Sequence, residues 1–587
     1  MDKRWSLESL YASFDSESFL KDISTLDAEI TEIKLFGDKN FSADPIKSIE
    51  YFIELSNRFS NRLHRLFAFC SLTLAVDTGN KHGMNNMDML RKKSSETVVS
   101  FTKFKLWIKD YSSLDSDSKN SEIIKSHLFY LKEMQSSARR LLPPDIEEIV
   151  SDMQRTGSSA FSSLQNQLTS TLSVDVEING KNEQLSLSQA RNLYFDKDNE
   201  LRERAFFAEM DAYKKIEIPS SACLNAIKGE VITLSKKRGY SSPLEMTLEE
   251  SRMDRETLDC LIESMKSSLP IFRRYYKHKA KLLRNSEKIP YFDILAPVGS
   301  VDLSFSYEAA ADYVIKAESE FSSEVSDFMK NAFDNRWLDV EPRKGKRGGA
   351  FCSTIHSIRQ SRILANFSGS FDNMTTLAHE LGHAYHGYVL MDETLLNSDY
   401  PMPLAETASI FSETVVMDYS FKNISGENLL TLLENDISSS ATVIVDIYSR
   451  YLFETELFKE RENSILSHNR LNELMSKAQR DAYGDCLDEN FVHPYMWVNK
   501  PHYYYPGANF YNFPYAFGLL FAKGLYAKYK REPDGFIEKY KSLLRLTGKD
   551  TIYNVGKAAG IDLHSRKFFD DTIEMISTDI ERFLTMK

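Results

Sequence analysis

Cysteine is scarce in this sequence, and what there is lies scattered. Five cysteines (Cys70, Cys223, Cys260, Cys352 and Cys486) stand in 587 residues, none in C-x-x-C spacing. An odd, dispersed set offers no disulfide framework and points to a reducing compartment. Long apolar runs are also missing. No stretch approaches the roughly 20 apolar residues that span a bilayer. The opening Met1-Asp-Lys-Arg-Trp-Ser-Leu7 runs straight into mixed polar sequence, without the apolar core of a secretion signal. Positive charge is in the minority, 73 Lys and Arg against 85 Asp and Glu, a net charge of −12. That balance disfavours nucleic acid and anionic membranes as main partners. No internal repeat, low-complexity segment or Ser or Cys nucleophile motif is visible. A cytoplasmic protein is expected.

With 42% hydrophobic and 27% charged residues the composition is that of an ordinary globular chain. It is too long for one core, so two or more lobes are expected. The first 160 or so residues read as helices, with long amphipathic runs over 46–74 and 86–111 and a break at Pro143-Pro144. Val174, Val176 and Ile178 then alternate with Asp175 and Glu177, and Asn179-Gly180 follows, the pattern of a hairpin with a type I′ turn returning over 184–187. A boundary near 190 divides an N-terminal helical domain, 1–190, from a catalytic domain, 191–587. Helices resume at Asn199, with another long one over 254–283. Arg343-Lys-Gly-Lys-Arg-Gly-Gly349 reads as a basic, flexible segment between helices and two short strands, at 350–352 and 363–367. After Met402 the chain is helical nearly to Lys587, apart from an aromatic loop near 491–515.

The chain is organised around Thr376-Leu-Ala-His-Glu-Leu-Gly-His-Ala-Tyr-His386. It holds H-E-x-x-H at His379, Glu380 and His383, a pattern that chance would place in roughly one or two chains in a hundred of this length. Residues four apart share a helix face, so both histidines can grip one metal ion. Glu380 lies about 100° round the helix, poorly placed as a ligand but within reach of a water on that metal. Two imidazoles suit zinc, and the adjacent carboxylate suits a general base. The helix is expected to start at Asp372 or Asn373 and to bury a stripe of Leu377, Leu381, Ala384 and Tyr388.

Catalytic zinc usually takes three protein ligands. His386 lies nearly two turns from His379, about 10 Å by helix rise, too far for the three rings to converge. The metzincin pattern fails as well, because it needs Gly at 386 and His at 389, where His386 and Val389 stand. His386 is better read as supporting the ligands or facing substrate. Glu406 falls in the first turns of a helix entered through Pro401 and Pro403, near the positive end of its dipole. Glu413, seven residues on, shares that face and can orient a ligand histidine, though a solvated helix charge is an equal reading. The strand opening at Gly349, Ala350 and Phe351 either pairs with an extended peptide as an exposed sheet edge or is a plain structural hairpin.

The stretch Phe367–His386 followed by Ala405-Glu-Thr-Ala-Ser409 resembles the oligoendopeptidase F branch of the thimet oligopeptidase-like metallopeptidases. So do Trp5–Asp15, Lys228-Gly-Glu230 with Arg238–Leu244, Gly348–Cys352, Asn366–Gly369, Pro501-His-Tyr-Tyr504 and Phe510–Gly518. The resemblance implies a mostly α fold, a two-lobed helical bowl around a deep substrate channel, with a small hairpin or sheet beside the zinc-site helix. It implies one zinc ion per chain on His379, His383 and Glu406, with Glu380 as base. It implies cleavage of internal bonds in short, unstructured peptides. In that family a histidine and tyrosines of the late loop line the substrate site; these match His502, Tyr511 and Tyr515, with Tyr504 and Tyr505 as neighbouring candidates. Three other readings remain at this stage: a zinc exopeptidase, an inactive peptide-binding relative, and a helical scaffold with a chance motif. Against the first, the G-A-M-E-N motif of one aminopeptidase class is absent.

Overall fold

Helices carry most of the chain in the computed structural model, which describes residues 1–300 and 303–586. Helix α1 (Pro45–Val76) begins where Asp44 accepts from the Lys47 amide and Pro45 fixes the first turn. It buries Ile49, Phe52, Ile53, Ser56 and Phe59 along one face. The single helix expected over 86–111 is two, α2 (Lys81–Ser95) and α3 (Val98–Ile108). The Glu96 and Thr97 amides bond back to Lys93 and Ser94, and the Thr97 hydroxyl also donates to the Ser94 carbonyl. These three-residue closures tighten and end α2.

The hairpin forms as expected from β1 (Ser173–Ile178) and β2 (Lys181–Ser186), with Val174 opposite Leu185. Asn179 (φ 52°) and Gly180 (φ 74°) supply the two left-handed residues of the type I′ turn. Helices α4 (Asn199–Lys214), α5 (Glu217–Lys237) and α6 (Arg255–Arg284) follow. Further on, β3 (Leu338–Asp339), β4 (Phe351–Ile355) and β5 (Gln360–Leu364) make a sheet of order β3-β5-β4. β5 runs parallel to β3 and antiparallel to β4, with Cys352 opposite Ile363. The second strand thus starts earlier than expected, because Arg359 (φ 53°) turns the chain tightly after Ile355. The 343–349 segment is also less loose than its composition suggests: Arg343 and Lys346 both pair with buried Asp339, at 2.7 and 2.8 Å.

The motif helix α7 (Phe371–Leu390) starts one or two residues before the expected point. Ser370 caps it by accepting from the Asn373 amide, while the Asn373 side chain turns back to Ser368. Leu377, Leu381 and Ala384 are fully buried, but Tyr388 is 41% exposed and lies against Phe328. A short α8 (Met402–Ala405) leads into α9 (Thr407–Asn423). Later come α10 (Ile447–Arg461) and α11 (Phe513–Arg531).

By its contacts the chain divides into two units, neither continuous. One comprises Met1–Arg140, Leu303–Ser420 and Tyr529–Gly560; the other Leu141–Asp302, Phe421–Lys528 and Ile561–Lys587. Residue 190 lies inside the second. The first unit's core gathers aromatic rings of its N-terminal helices, such as Phe52 stacked on Phe104 at 3.9 Å, and takes in Ile355 and Leu364 of the sheet. The second unit's core holds Val174 and Val176 of the hairpin with Tyr213, Trp497, Tyr503 and Tyr504. No helix among the described residues is long and apolar enough to cross a membrane.

Candidate metal centre

Two glycines let α7 seat closely between its neighbours. A Cβ on Gly382 would stand 2.5 Å from the Ala408 carbonyl oxygen and 2.7 Å from the Ser409 Cα, so α7 and α9 meet backbone to backbone there. A Cβ on Gly387 would collide with the Thr354 hydroxyl of β4. The first approach brings Glu406, at the joint between α8 and α9, up to the histidine face. Gly382→Ala is expected to cost about 1–3 kcal/mol through overpacking and to weaken metal binding with it. Thermal unfolding and metal content measured on the same sample check this; a variant unchanged in both would mean that the helices need no such approach.

His379 and His383 lie on one face, ring centroids 4.8 Å apart. Each Nε2 is 3.3 Å from the same Glu406 oxygen. Zinc bonds of about 2.0–2.1 Å at tetrahedral angles place ligand atoms about 3.3 Å apart. The donor set therefore fits zinc in both chemistry and spacing, and it is the one such group found among the described residues. Ser409 Oγ donates to Glu406 at 2.7 Å and steadies that carboxylate.

His379 Nδ1 lies 2.7 Å from a Glu413 oxygen. With Nδ1–H donated to Glu413, Nε2 is the nitrogen left to bind a metal once its own proton is released, the tautomer a metal ligand needs. Burial alone would discharge His379, but Glu406 and Glu413 outweigh it and push the imidazole up to about 10. Burial likewise opposes the Glu406 charge, yet the two histidines and Ser409 hold its carboxyl well below the usual range. The pocket is thus built to hold positive charge. Glu380 differs: it is 5% exposed, its Oε2 has no hydrogen-bond partner, and burial pushes its carboxyl up against the pull of both histidines.

His386 does not belong to the ligand group. It is fully buried, bonded at Nε2 to Thr547 Oγ1 at 2.9 Å and stacked on Tyr400 at 4.3 Å. Gly349 and Ala350 lead into β4, which opens at Phe351 and is one of the two edge strands of the sheet. Gly349 and Ala350 also line a cavity of about 310 Å³ with Asn366, Phe367, Asn373 and Thr376.

The other unit brings His502, Tyr505, Tyr511 and Tyr515 together. From the His502 ring the centroids of Tyr511, Tyr505 and Tyr515 lie 4.9, 5.6 and 6.0 Å away. Tyr504, a neighbouring candidate in the sequence, is 1% exposed and packed in the core. Tyr503 is buried in the same core, whereas His502 and Tyr505 are only partly buried, and a run of consecutive tyrosines carries no period that tells which ones turn inward. Sequence reading also missed Ser409 and Gly382. Ser409 stands three residues after Glu406, a helical spacing that marks it in hindsight; Gly382 gives no such sign, since only the packed helices reveal its need.

The sequence pattern of peptidase family M3 matches residues 193–575. Oligopeptidase PepF of Bacillus subtilis is 23% identical over 98% of this chain and 86% of its own. A chain from Chlamydophila abortus assigned as a peptidase superposes with a TM-score of 0.86, at 19% identity over 99% of this chain and 98% of its own. Oligoendopeptidase-F of Enterococcus faecium follows with a TM-score of 0.70, at 19% identity over 97% and 98%. At these identities the solved structures establish the fold, mostly helical with small sheets, as the sequence motifs led one to expect.

Proposed function

This chain belongs to peptidase family M3, and on that premise we propose that it is a zinc-dependent endopeptidase that hydrolyses internal bonds of short, unstructured peptides. The observation that carries the reading is the placing of His379, His383 and Glu406 at zinc-ligand spacing beside a buried Glu380 with an unpartnered oxygen. When bound, zinc polarises a peptide carbonyl and makes water acidic enough to attack at neutral pH. Glu380 takes the proton from the attacking water and passes it to the leaving amine. Its raised affinity for protons, a result of burial, suits both halves of that task. Glu413 keeps His379 in the ligating tautomer. The free edge of β4 offers backbone groups to an extended substrate, with Gly349–Phe351 at its entrance. The five cysteines are all free, which suits a cytoplasmic setting. Digestion of a peptide library beside folded proteins, with products read by mass spectrometry, tests the whole reading. Internal cuts confined to peptides are expected. Efficient cleavage of folded proteins, or release of single terminal residues alone, would overturn it.

The resemblance implies that His502, Tyr511 and Tyr515 line the substrate site, where a tyrosine hydroxyl or His502 donates to the oxyanion that develops on the carbonyl. Their chemistry suits donors. Burial and the charges of Arg450 and Lys500 push His502 down to about 4, so it is neutral at pH 7. Burial and Tyr511 push the Tyr515 phenol well above its usual range, so its proton stays in place. Tyr511→Phe or Tyr515→Phe is expected to lower kcat by ~10²–10³ with little change in KM, because such a donor serves the transition state more than the substrate. Near-normal turnover in both variants would leave the tyrosines as packing alone.

A further inference from the structure

A buried ion pair in the second unit has no part in the chemistry so far. Lys228 of α5 and Glu454 of α10 are 0% and 1% exposed, and Lys228 Nζ donates to Glu454 Oε1 at 2.8 Å. Desolvating two charges is expensive, so such a pair adds little stability over apolar residues of the same size. Its remaining bonds all run to one place. Lys228 Nζ also donates to Asn509 Oδ1 at 2.9 Å, and Glu454 Oε2 accepts from Asn512 Nδ2 at 2.9 Å. Asn512 Oδ1 in turn accepts from the Phe513 amide at 2.6 Å, the first residue of α11. Thr247 Oγ1 holds the Asn509 carbonyl at 3.1 Å.

Between the two asparagines the backbone is strained. Phe510 has φ 49°, a left-handed conformation that costs a bulky residue of order 1–3 kcal/mol. Its ring is buried against Phe458 at 5.4 Å, and its carbonyl accepts from the Asn512 amide at 2.7 Å. Asn509, Phe510, Asn512, Phe513 and Pro514 are all buried, and Tyr511 alone among residues 509–514 is partly exposed. A charged pair binding the asparagines on either side of Phe510 and Tyr511 fixes the direction of that two-residue segment more tightly than neutral contacts do, because hydrogen bonds to ionised groups are short and strong.

We propose that Lys228 and Glu454 are positioning residues that act through Asn509 and Asn512 to aim the Tyr511 hydroxyl. The inference rests on the reading of Tyr511 as a group that faces the reacting carbonyl. Removing one charge would strand the other in the core, so the test removes both: Lys228→Met/Glu454→Met in the full chain. Metal content is expected to stay near that of the parent and the melting temperature to fall by a few degrees as the two asparagines lose their partners, while kcat falls roughly 10–100-fold, the cost of a misplaced group, and KM changes little. The decisive measurement is the same change made in a Tyr511→Phe background. With no hydroxyl left to aim, the added loss in kcat should shrink to within about twofold. Asn512→Ala, which leaves the ion pair and Asn509 in place, gives a milder version of the same cycle should the double methionine variant fold poorly. A loss that persists undiminished in Tyr511→Phe, or normal turnover in both Lys228→Met/Glu454→Met and Asn512→Ala, would overturn the positioning role. Normal turnover in Tyr511→Phe alone would instead remove the tyrosine's own role and the inference with it. The two failures are therefore told apart by whether that single variant is slow.

Discussion

Glu380→Gln should retain zinc and its fold while losing nearly all peptide hydrolysis. Glutamine has the same shape, so the packing that leaves Glu380 5% exposed is kept. Neither Glu380 oxygen belongs to the His379, His383 and Glu406 group, so the ligand set is untouched. What disappears is the ability to take a proton. Positioned proton transfer is worth typically ~10²–10⁴-fold, and a loss in kcat of that size is expected here. The unpartnered Oε2 sharpens the case. A buried carboxylate oxygen without a hydrogen bond is costly, and folding alone would not select it. Burial holds the Glu380 carboxyl above its ordinary range, which makes it a stronger base than an exposed glutamate. Metal content and hydrolysis of one peptide, measured on a single preparation, decide the matter. Substantial retained turnover would place the base elsewhere; loss of metal would make Glu380 a structural part of the ligand shell.

Much of this centre is legible in sequence because helices translate spacing into direction. His379 and His383 at four residues apart need only the helical period to share a face, whereas Glu406 stands at the joint before α9, which carries Glu413. The β1–β2 hairpin is legible for a similar reason: strict alternation names the buried valines, and Asn-Gly names the turn. What stays hidden depends on contacts between distant stretches. Gly382 matters only because Ala408 and Ser409 arrive against it. The end of α2 turns on closures at Glu96 and Thr97 that compete locally with a pattern amphipathic on both sides. β5 opens with Gln360, Ser361 and Arg362, polar residues that are wholly or partly buried in the sheet and so carry no apolar signature. Each compact unit gathers three separate stretches, so no composition shift along the chain marks where one ends. Lys228 and Glu454 lie 226 positions apart, and nothing in either neighbourhood announces the other.

Glu406→Ala is expected to lose zinc, and His386→Ala to keep most of it. The two residues were the rival third ligands in sequence, and the structure separates them by what each touches. One Glu406 oxygen stands 3.3 Å from both ligand nitrogens, and removing it takes away a donor and the negative charge that balances the ion. His386 spends its Nε2 on Thr547 and its ring face on Tyr400. Burial pushes it down to about 3, so it is a neutral core side chain at any working pH. Its loss opens a cavity beside α7, a cost in stability of the kind large-to-small core changes carry, about 2–5 kcal/mol, with little direct effect on the metal. Glu413→Ala falls between the two. It removes the partner that fixes the His379 tautomer, and such outer partners are worth roughly 10–100-fold in metal affinity. The expected order of zinc dissociation constants is therefore Glu406→Ala weakest, then Glu413→Ala, then His386→Ala near the parent, measured by competition with a chelator of known affinity. The melting temperature should move differently, with His386→Ala destabilised even in the presence of excess zinc. A reversed order for Glu406 and His386 would mean that the ion is held along the motif helix alone, and that α9 serves only to pack against it.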